Sequence, residues 1–128
     1  MIEDELQAAL VAASTHEAEA AACATLEFHY PASFVGFQGH FPNDPILPGV
    51  CLLQSLRLGL EKAWSARLNI TEILNAKFVA PVRPGDTISF AVAETSRSPH
   101  AVSTKAKVTC CGQRVAELSV KLESLPPL

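Results

Sequence analysis

VCLLQSLRLGLEKAWSAR, residues 50–67, is the stretch whose reading decides the fold. Val50, Leu53, Leu56, Leu60 and Trp64 recur at helical spacing and make one apolar stripe, which Leu52 and Leu58 widen. Pro48 and Gly49 stand just ahead of it, and proline suits the first turn of a helix. The run predicts one long helix of roughly 16–18 residues, apolar around most of its girth and therefore buried on most sides.

On either side of this helix the period changes to two. Residues 70–82, ITEILNAKFVAPV, read as a strand that runs into a turn at Arg83-Pro84-Gly85-Asp86. Residues 87–95 alternate Ile88, Phe90 and Val92 against Ser89, Ala91 and Ala93. A loop follows at 96–100, and residues 101–111 and 113–122 alternate again around Gly112, which suits a hairpin turn. Ahead of the helix, Leu26, Phe28 and Tyr30 alternate with Thr25, Glu27 and His29. Residues 2–13, IEDELQAALVAA, are rich in helix formers with acids in the first turn, yet their place before a strand also allows the first arm of a hairpin. The sum is an α+β fold over residues 1–128, one domain with an antiparallel sheet curled around a single long helix.

The composition allows this and excludes other classes. Hydrophobic residues make up 48% of the 128 residues and charged residues 18%, enough for one packed core and too apolar for a disordered chain. A net charge of −3 argues against a nucleic-acid binder. Residues 1–56 hold seven acids and no Lys or Arg, while all ten basic residues lie from Arg57 onward. Such an asymmetry marks either a partner surface or the ordinary scatter of solvated faces. No basic start followed by an apolar run appears, and the apolar stretches are too short to span a membrane, so a cytoplasmic protein is expected. Cys23, Cys51, Cys110 and Cys111 contain no C-x-x-C pair and read as buried reduced thiols, with no metal and no cofactor implied. His16, His29 and His100 read as surface or strand-face residues.

Residues 37–50, FQGHFPNDPILPGV, carry the chemistry. Gly39, Pro42, Pro45 and Pro48 crowd around His40, and prolines restrict a loop so that it can hold one side chain in place. Histidine titrates near neutral pH, and the adjoining helix start offers free N–H groups to an anionic oxygen. Taken locally, a reactive histidine and a structural one are equally good readings.

The run Gly39-His40-Phe41-Pro42-x-x-Pro45-Ile46-Leu47-Pro48-Gly49-Val50 resembles the signature of the β-hydroxyacyl-(acyl-carrier-protein) dehydratases of the FabA/FabZ type. Ala76-Lys77-Phe78 and Pro81-Val82-Arg83-Pro84-Gly85-Asp86 resemble that family's second landmark, a strand ending in a Pro-Gly-Asp turn. The likeness covers roughly residues 25–122, and two motifs in the right order are far more specific than one. It implies a hot-dog fold, and a dimer with active sites at the interface. By this resemblance His40 removes the proton next to the thioester, and the N–H of Gly49, with Val50 beside it, binds the thioester carbonyl. The carbonyl of Ile46 orients the imidazole.

One departure matters. The family places Glu or Asp 14 positions after the histidine, and that position here is Gln54, with Pro45, Pro48 and Gly49 aligning without a gap. A carboxylic acid can donate a proton to a departing hydroxyl, whereas a glutamine can only hydrogen-bond. Losing general-acid help costs on the order of a hundred- to ten-thousand-fold in rate. Glu61 is two helical turns further on, and Asp44 would have to turn inward from the loop. Three readings follow: a dehydratase in which Gln54 positions the leaving group; a thioesterase in which Gln54 and Ser55 orient water; or a degenerate acyl-binding subunit paired with a competent homologue, as a heterodimer instead of a homodimer. Asn43 stands where the family commonly has Gly, a turn that asparagine tolerates. The N-terminus lacks the usual opening and looks more like the shorter dehydratases of polyene or secondary-lipid synthesis.

The implied substrate is an acyl thioester on acyl carrier protein or coenzyme A. Phe34, Phe37, Phe41, Leu53 and Trp64 are candidates for the walls of an acyl tunnel, against ordinary core packing. Acyl carrier proteins are acidic, so Arg83, Lys77 and Arg97, with Lys105, are candidates for docking.

Overall fold

The computed structural model describes residues 2–18, 21–37 and 45–126. The elements run α1 (Ile2–Ala9), β1 (Leu10–Ala18), β2 (Ala21–His29), a 3₁₀ turn (Val35–Phe37), α2 (Gly49–Trp64), β3 (Arg67–Phe78), β4 (Thr87–Arg97), β5 (Ala101–Cys110) and β6 (Gln113–Leu125). The six strands form one antiparallel sheet in the order β1-β2-β4-β5-β6-β3. Helix α2 packs on one face of this sheet, which is the α+β arrangement expected.

Both readings of the N-terminal segment are realised in succession. Glu3, Asp4 and Glu5 favour the first turn of α1, and Leu6 and Ala9 bury its inner face. From Leu10 on, pairing with β2, from Leu10↔Phe28 to Ala18↔Ala21, overrides helix propensity. Strand β3 begins at Arg67 because residues 67–69 pair with the end of β6. It stops at Phe78 because the N–H groups of Val79 and Ala80 both turn to the carbonyl of Val115, at 2.8 and 3.2 Å.

Helix α2 ends three residues before the amphipathic run does. Ser65 takes a left-handed conformation (φ 50°) and its N–H returns to the carbonyl of Glu61. The buried face also differs from the stripe read from the spacing. Val50 points outward and is 60% exposed, while Cys51, Leu52, Leu53, Ser55, Leu56, Leu58, Gly59 and Leu60 are buried. Gln54, Arg57 and Glu61 continue from Val50 as a narrow, less buried row.

Glycine at position 59 permits the close approach of helix and sheet. A Cβ there would lie 2.5 Å from Cδ1 of Leu26, itself fully buried. The facing residues of β4, Ile88, Phe90 and Val92, alternate inward as their period requires. Cys111 (φ 53°) and Gly112 (φ 80°) make the two-residue turn between β5 and β6, the geometry that right-twisted hairpins favour. The four cysteines are free thiols, but only Cys51 is buried; Cys23 and Cys110 are half-buried and Cys111 is exposed on its turn. No described helix is long and apolar enough to cross a membrane.

Tyr30 joins helix, sheet and turn. Its N–H donates to the carbonyl of Asp86 at 3.2 Å and its carbonyl accepts from Gly85 at 2.7 Å, which seats the Pro-Gly-Asp turn against the end of β2. Its buried hydroxyl donates to Oγ of Ser55 at 2.7 Å, and Ser55 donates onward to the carbonyl of Cys51 at 2.6 Å. Burial pushes the phenol well above its ordinary value, outweighing the opposite effect of Ser55.

Two unequal losses are expected from this chain of bonds. Tyr30→Phe leaves Ser55 its own acceptor and should cost about 1 kcal/mol; Ser55→Ala strands a buried phenol and should cost more, about 1–3 kcal/mol. Urea unfolding of both variants measures the order. Because the folded phenol titrates above the unfolded one, its contribution is complete below pH ~10 and is lost as pH rises beyond that. The fall in stability at high pH should therefore be shallower in Tyr30→Phe.

Candidate active site

The start of α2 is held where three segments meet. Leu47 donates its N–H to the carbonyl of Val82 at 2.7 Å, tying the chain ahead of the helix to the segment after β3. Pro48 is the N-cap, with no side-chain cap bond among the described residues. The first backbone N–H groups of a helix have no partner within it, so the start of α2 presents donors. A cavity of about 570 Å³ opens here, lined by Ile46, Leu47, Gly49, Leu52, Phe78 and Val82 among others. Its walls are largely aliphatic and aromatic, which suits an acyl chain, and the helix donors suit a carbonyl oxygen.

Gly49 faces the ring of Phe78. A Cβ on residue 49 would lie 2.6 Å from Cζ of that ring. Phe78 is 50% exposed, so it forms a wall of the cavity more than a part of the core. Phe78 belongs to the strand motif already noted, but nothing in its spacing announces that it meets Gly49.

The candidate residues are spread more widely than the sequence suggested. Ile46 and Gly49 line the cavity, while Val50 opens outward beside it. His40 and Phe41, with Asn43 and Asp44, lie outside the described residues. Phe34 and Phe37 are buried in an aromatic cluster, Phe34 lying tilted against Tyr30 and edge-on to Phe37 at ring distances of 5.7 and 5.8 Å. Leu53 is buried in the core. Trp64 is at the other end of α2, about 22 Å from Gly49 at the helical rise of ~1.5 Å per residue. It lines a separate cavity of about 260 Å³ with Arg97, Pro99 and His100.

The basic candidates do not form one patch. Exposed Arg83 adjoins Val82 at the cavity by Gly49, and its N–H donates to Asp86 Oδ2 at 2.8 Å. Exposed Lys77 sits on edge strand β3 opposite Glu117 of β6. Arg97 pairs with Glu94 near Trp64, and Lys105 lies over the outer face of the sheet with Lys107 and His16. His29 pairs with Thr87, Nδ1 to Oγ1 at 3.0 Å.

Gln54 is half-buried, and its Oε1 accepts from Nε of Arg57 at 2.8 Å. Arg57 also meets Glu61 at 3.1 Å and Glu3 of α1 at 2.9 Å. Arg57 lies three residues beyond Gln54, a spacing that places the two side by side on a helix, and that was the signal available for it. Ser55 is turned wholly into the core, its hydroxyl occupied by Tyr30 and Cys51, so it does not face either cavity. Among the described residues no group of three His, Cys, Asp or Glu is arranged to hold a metal.

Comparisons with known proteins define the class. The fold matches the heterocomplex described as the dehydratase ApeI:P from Xenorhabdus doucetiae, with TM-score 0.64 and 21% identity over 89% of this chain and 96% of that one. It also matches a putative thioesterase, yhdA from Lactococcus lactis, with TM-score 0.77 and 14% identity over 98% and 97%. These likenesses establish a hot-dog fold. The model of the ApeI-like family, described as ApeI dehydratase, matches residues 14–114, and the chain belongs to that family. Among curated relatives, 3-hydroxyacyl-[acyl-carrier-protein] dehydratase FabZ of Campylobacter lari is 34% identical over 96 residues, 66% of each protein. FabZ of Caulobacter sp. is 36% identical over 89 residues, 62% of this chain and 54% of the relative. The match to a Wolbachia FabZ is shorter, and the aligned region spans only 41% to 66% of the lengths of these three relatives.

The contact at the helix start gives a separable expectation. Gly49→Ala should push the half-exposed ring of Phe78 aside at a stability cost within about 1 kcal/mol, since alanine also favours the helix. Aromatic NMR shifts of Phe78 should move, and the urea midpoint should barely change. An unmoved ring would mean that the contact is not made in solution.

Proposed function

We propose that this chain dehydrates a β-hydroxyacyl thioester, carried on acyl carrier protein or coenzyme A, to the trans-2-enoyl thioester. The observation that carries the reading is the dehydratase family match across residues 14–114, which spans the Gly-His-Phe-Pro and Pro-Gly-Asp motifs. The donor-bearing start of α2, open to an apolar cavity, supports it.

In this mechanism the imidazole of His40 takes the proton from the carbon next to the thioester, and the carbonyl of Ile46 holds its other nitrogen. Charge moves onto the thioester oxygen, where the N–H of Gly49 stabilises it. The Cβ–O bond breaks as the Cα–Cβ double bond forms. The hydroxyl leaves as water with the proton that His40 took, so no outside acid is consumed. Gln54 donates a hydrogen bond to the departing oxygen and supplies no proton. No cofactor takes part in this scheme.

We place a partner chain against β3. This strand is one edge of the sheet, and Ile73, Leu74, Phe78 and Val79 on or next to it are each about half exposed. An edge with unpaired backbone groups and exposed apolar side chains is suited to joining another edge. Gln54 in place of an acid favours a second reading, in which this chain is the acyl-binding half of a heterodimer; a solved neighbour is itself described as a dehydratase heterocomplex.

Incubation of the purified chain with a β-hydroxyacyl thioester on carrier protein should yield the conjugated 2-enoyl product, and His40→Ala should lower turnover by a hundredfold or more, about the worth of a general base. Product formed only after a homologous dehydratase is added would select the heterodimer. Release of free acid without enoyl thioester would replace dehydration by hydrolysis. Ile73→Lys, on the β3 edge, should lower the mass seen by light scattering; an unchanged mass would move the interface elsewhere.

A further inference from the structure

Arg57 does more on α2 than balance charge. Its guanidinium is mostly enclosed, with 16% of the side chain exposed, and meets three acceptors at once. Nε donates to Oε1 of Gln54 at 2.8 Å, and the two terminal nitrogens donate to Glu61 at 3.1 Å and to Glu3 at 2.9 Å. Glu61 is itself held, because its second oxygen accepts the N–H of Leu68 at 2.8 Å. The anchor therefore runs from the start of β3 through Glu61 to Arg57, is braced from α1 by Glu3, and ends on the carboxamide of Gln54.

A carboxamide has one face that accepts and one that donates, and nothing in an isolated glutamine chooses between them. A guanidinium only donates. Beside Arg57, the oxygen of Gln54 must face the guanidinium and the NH₂ must turn away from it. Two carboxylates already meet this one cation, so an acid at position 54 would be a third negative charge around it. The carboxamide supplies the remaining acceptor without that charge.

We propose that Arg57 is a positioning residue that holds Gln54 by its carbonyl oxygen, so that the carboxamide NH₂ is presented as a fixed hydrogen-bond donor to the β-hydroxyl of the substrate. The assignment rests on the dehydratase reading above. It concerns recognition of a hydroxyl, so it distinguishes a β-hydroxyacyl thioester from the saturated acyl thioester of the same length.

The test compares the full chain with Arg57→Met, Gln54→Met and the double variant, together with the partner homologue if turnover requires one. Each single change should lower kcat/KM on the β-hydroxyacyl thioester about tenfold, the worth of one well-made hydrogen bond. The double variant should be no worse than Gln54→Met, because Arg57 acts through Gln54. Binding of the saturated acyl thioester should stay within about twofold in all four, which general damage to the fold would not allow. Multiplying losses, or equal losses for both ligands, would overturn the proposal.

A second measurement needs no turnover. The Nε proton of Arg57 should exchange slowly in the ¹H–¹⁵N spectrum of the wild-type chain and lose that protection in Gln54→Met. Rapid exchange in the wild type would overturn the proposal even if Arg57→Met failed to fold. Protection without enoyl product from any of the proteins would sink the dehydratase reading while supporting the orientation of Gln54.

Discussion

The bond from Tyr30 to Ser55 sets the position of the central helix along the sheet. An apolar helix in an apolar trough can slide with little change in buried area, because the hydrophobic effect has no direction. A buried hydroxyl pair removes that freedom, since any shift strands the phenol of Tyr30, while Ser55 keeps its acceptor within the helix. The close seat of Gly59 over Leu26 limits the same slide by shape. Through the backbone bonds of Tyr30 to Gly85 and Asp86, the helix register is passed to the Pro-Gly-Asp turn, and the bond from Leu47 to Val82 passes it back to the helix start. The donors at Gly49 and the wall at Phe78 meet because these links close a ring.

Much of this was legible in the sequence, and the reasons are local. The alternation in β4, the turn ahead of Thr87 and the hairpin at Cys111-Gly112 each depend on a few adjacent residues. Helix α2 was legible as a helix, but Val50 shows the limit of spacing: an apolar residue at the right interval still faces outward when neither sheet nor α1 covers it. The change from α1 to β1 at Leu10 was not legible, because it depends on pairing with β2.

The site divides in the same way. Ile46 and Gly49, three positions apart around the helix start, line one cavity, and Gln54 lies further along the helix. The motif spacing carried no information on what surrounds them. Phe78 reaches Gly49 across the fold, and Glu3 reaches Arg57 from 54 positions away. That ion pair also gives the uneven charge of the chain a physical meaning. The first basic residue in the sequence meets an acid from the N-terminal part that holds no Lys or Arg, so at this point the asymmetry is spent on internal cohesion.

The far end of α2 has a consequence for optical work on the protein. Trp64 is the single tryptophan of the chain, and its indole nitrogen is buried with no acceptor among the described residues. It lies about 22 Å from Gly49 at the helical rise of ~1.5 Å per residue, so its ultraviolet emission belongs to the seam between the helix end and the turn at Pro99 and His100. Quenching on addition of an acyl thioester would then report a change transmitted along the rigid helix. A steady signal would be the ordinary accompaniment of binding.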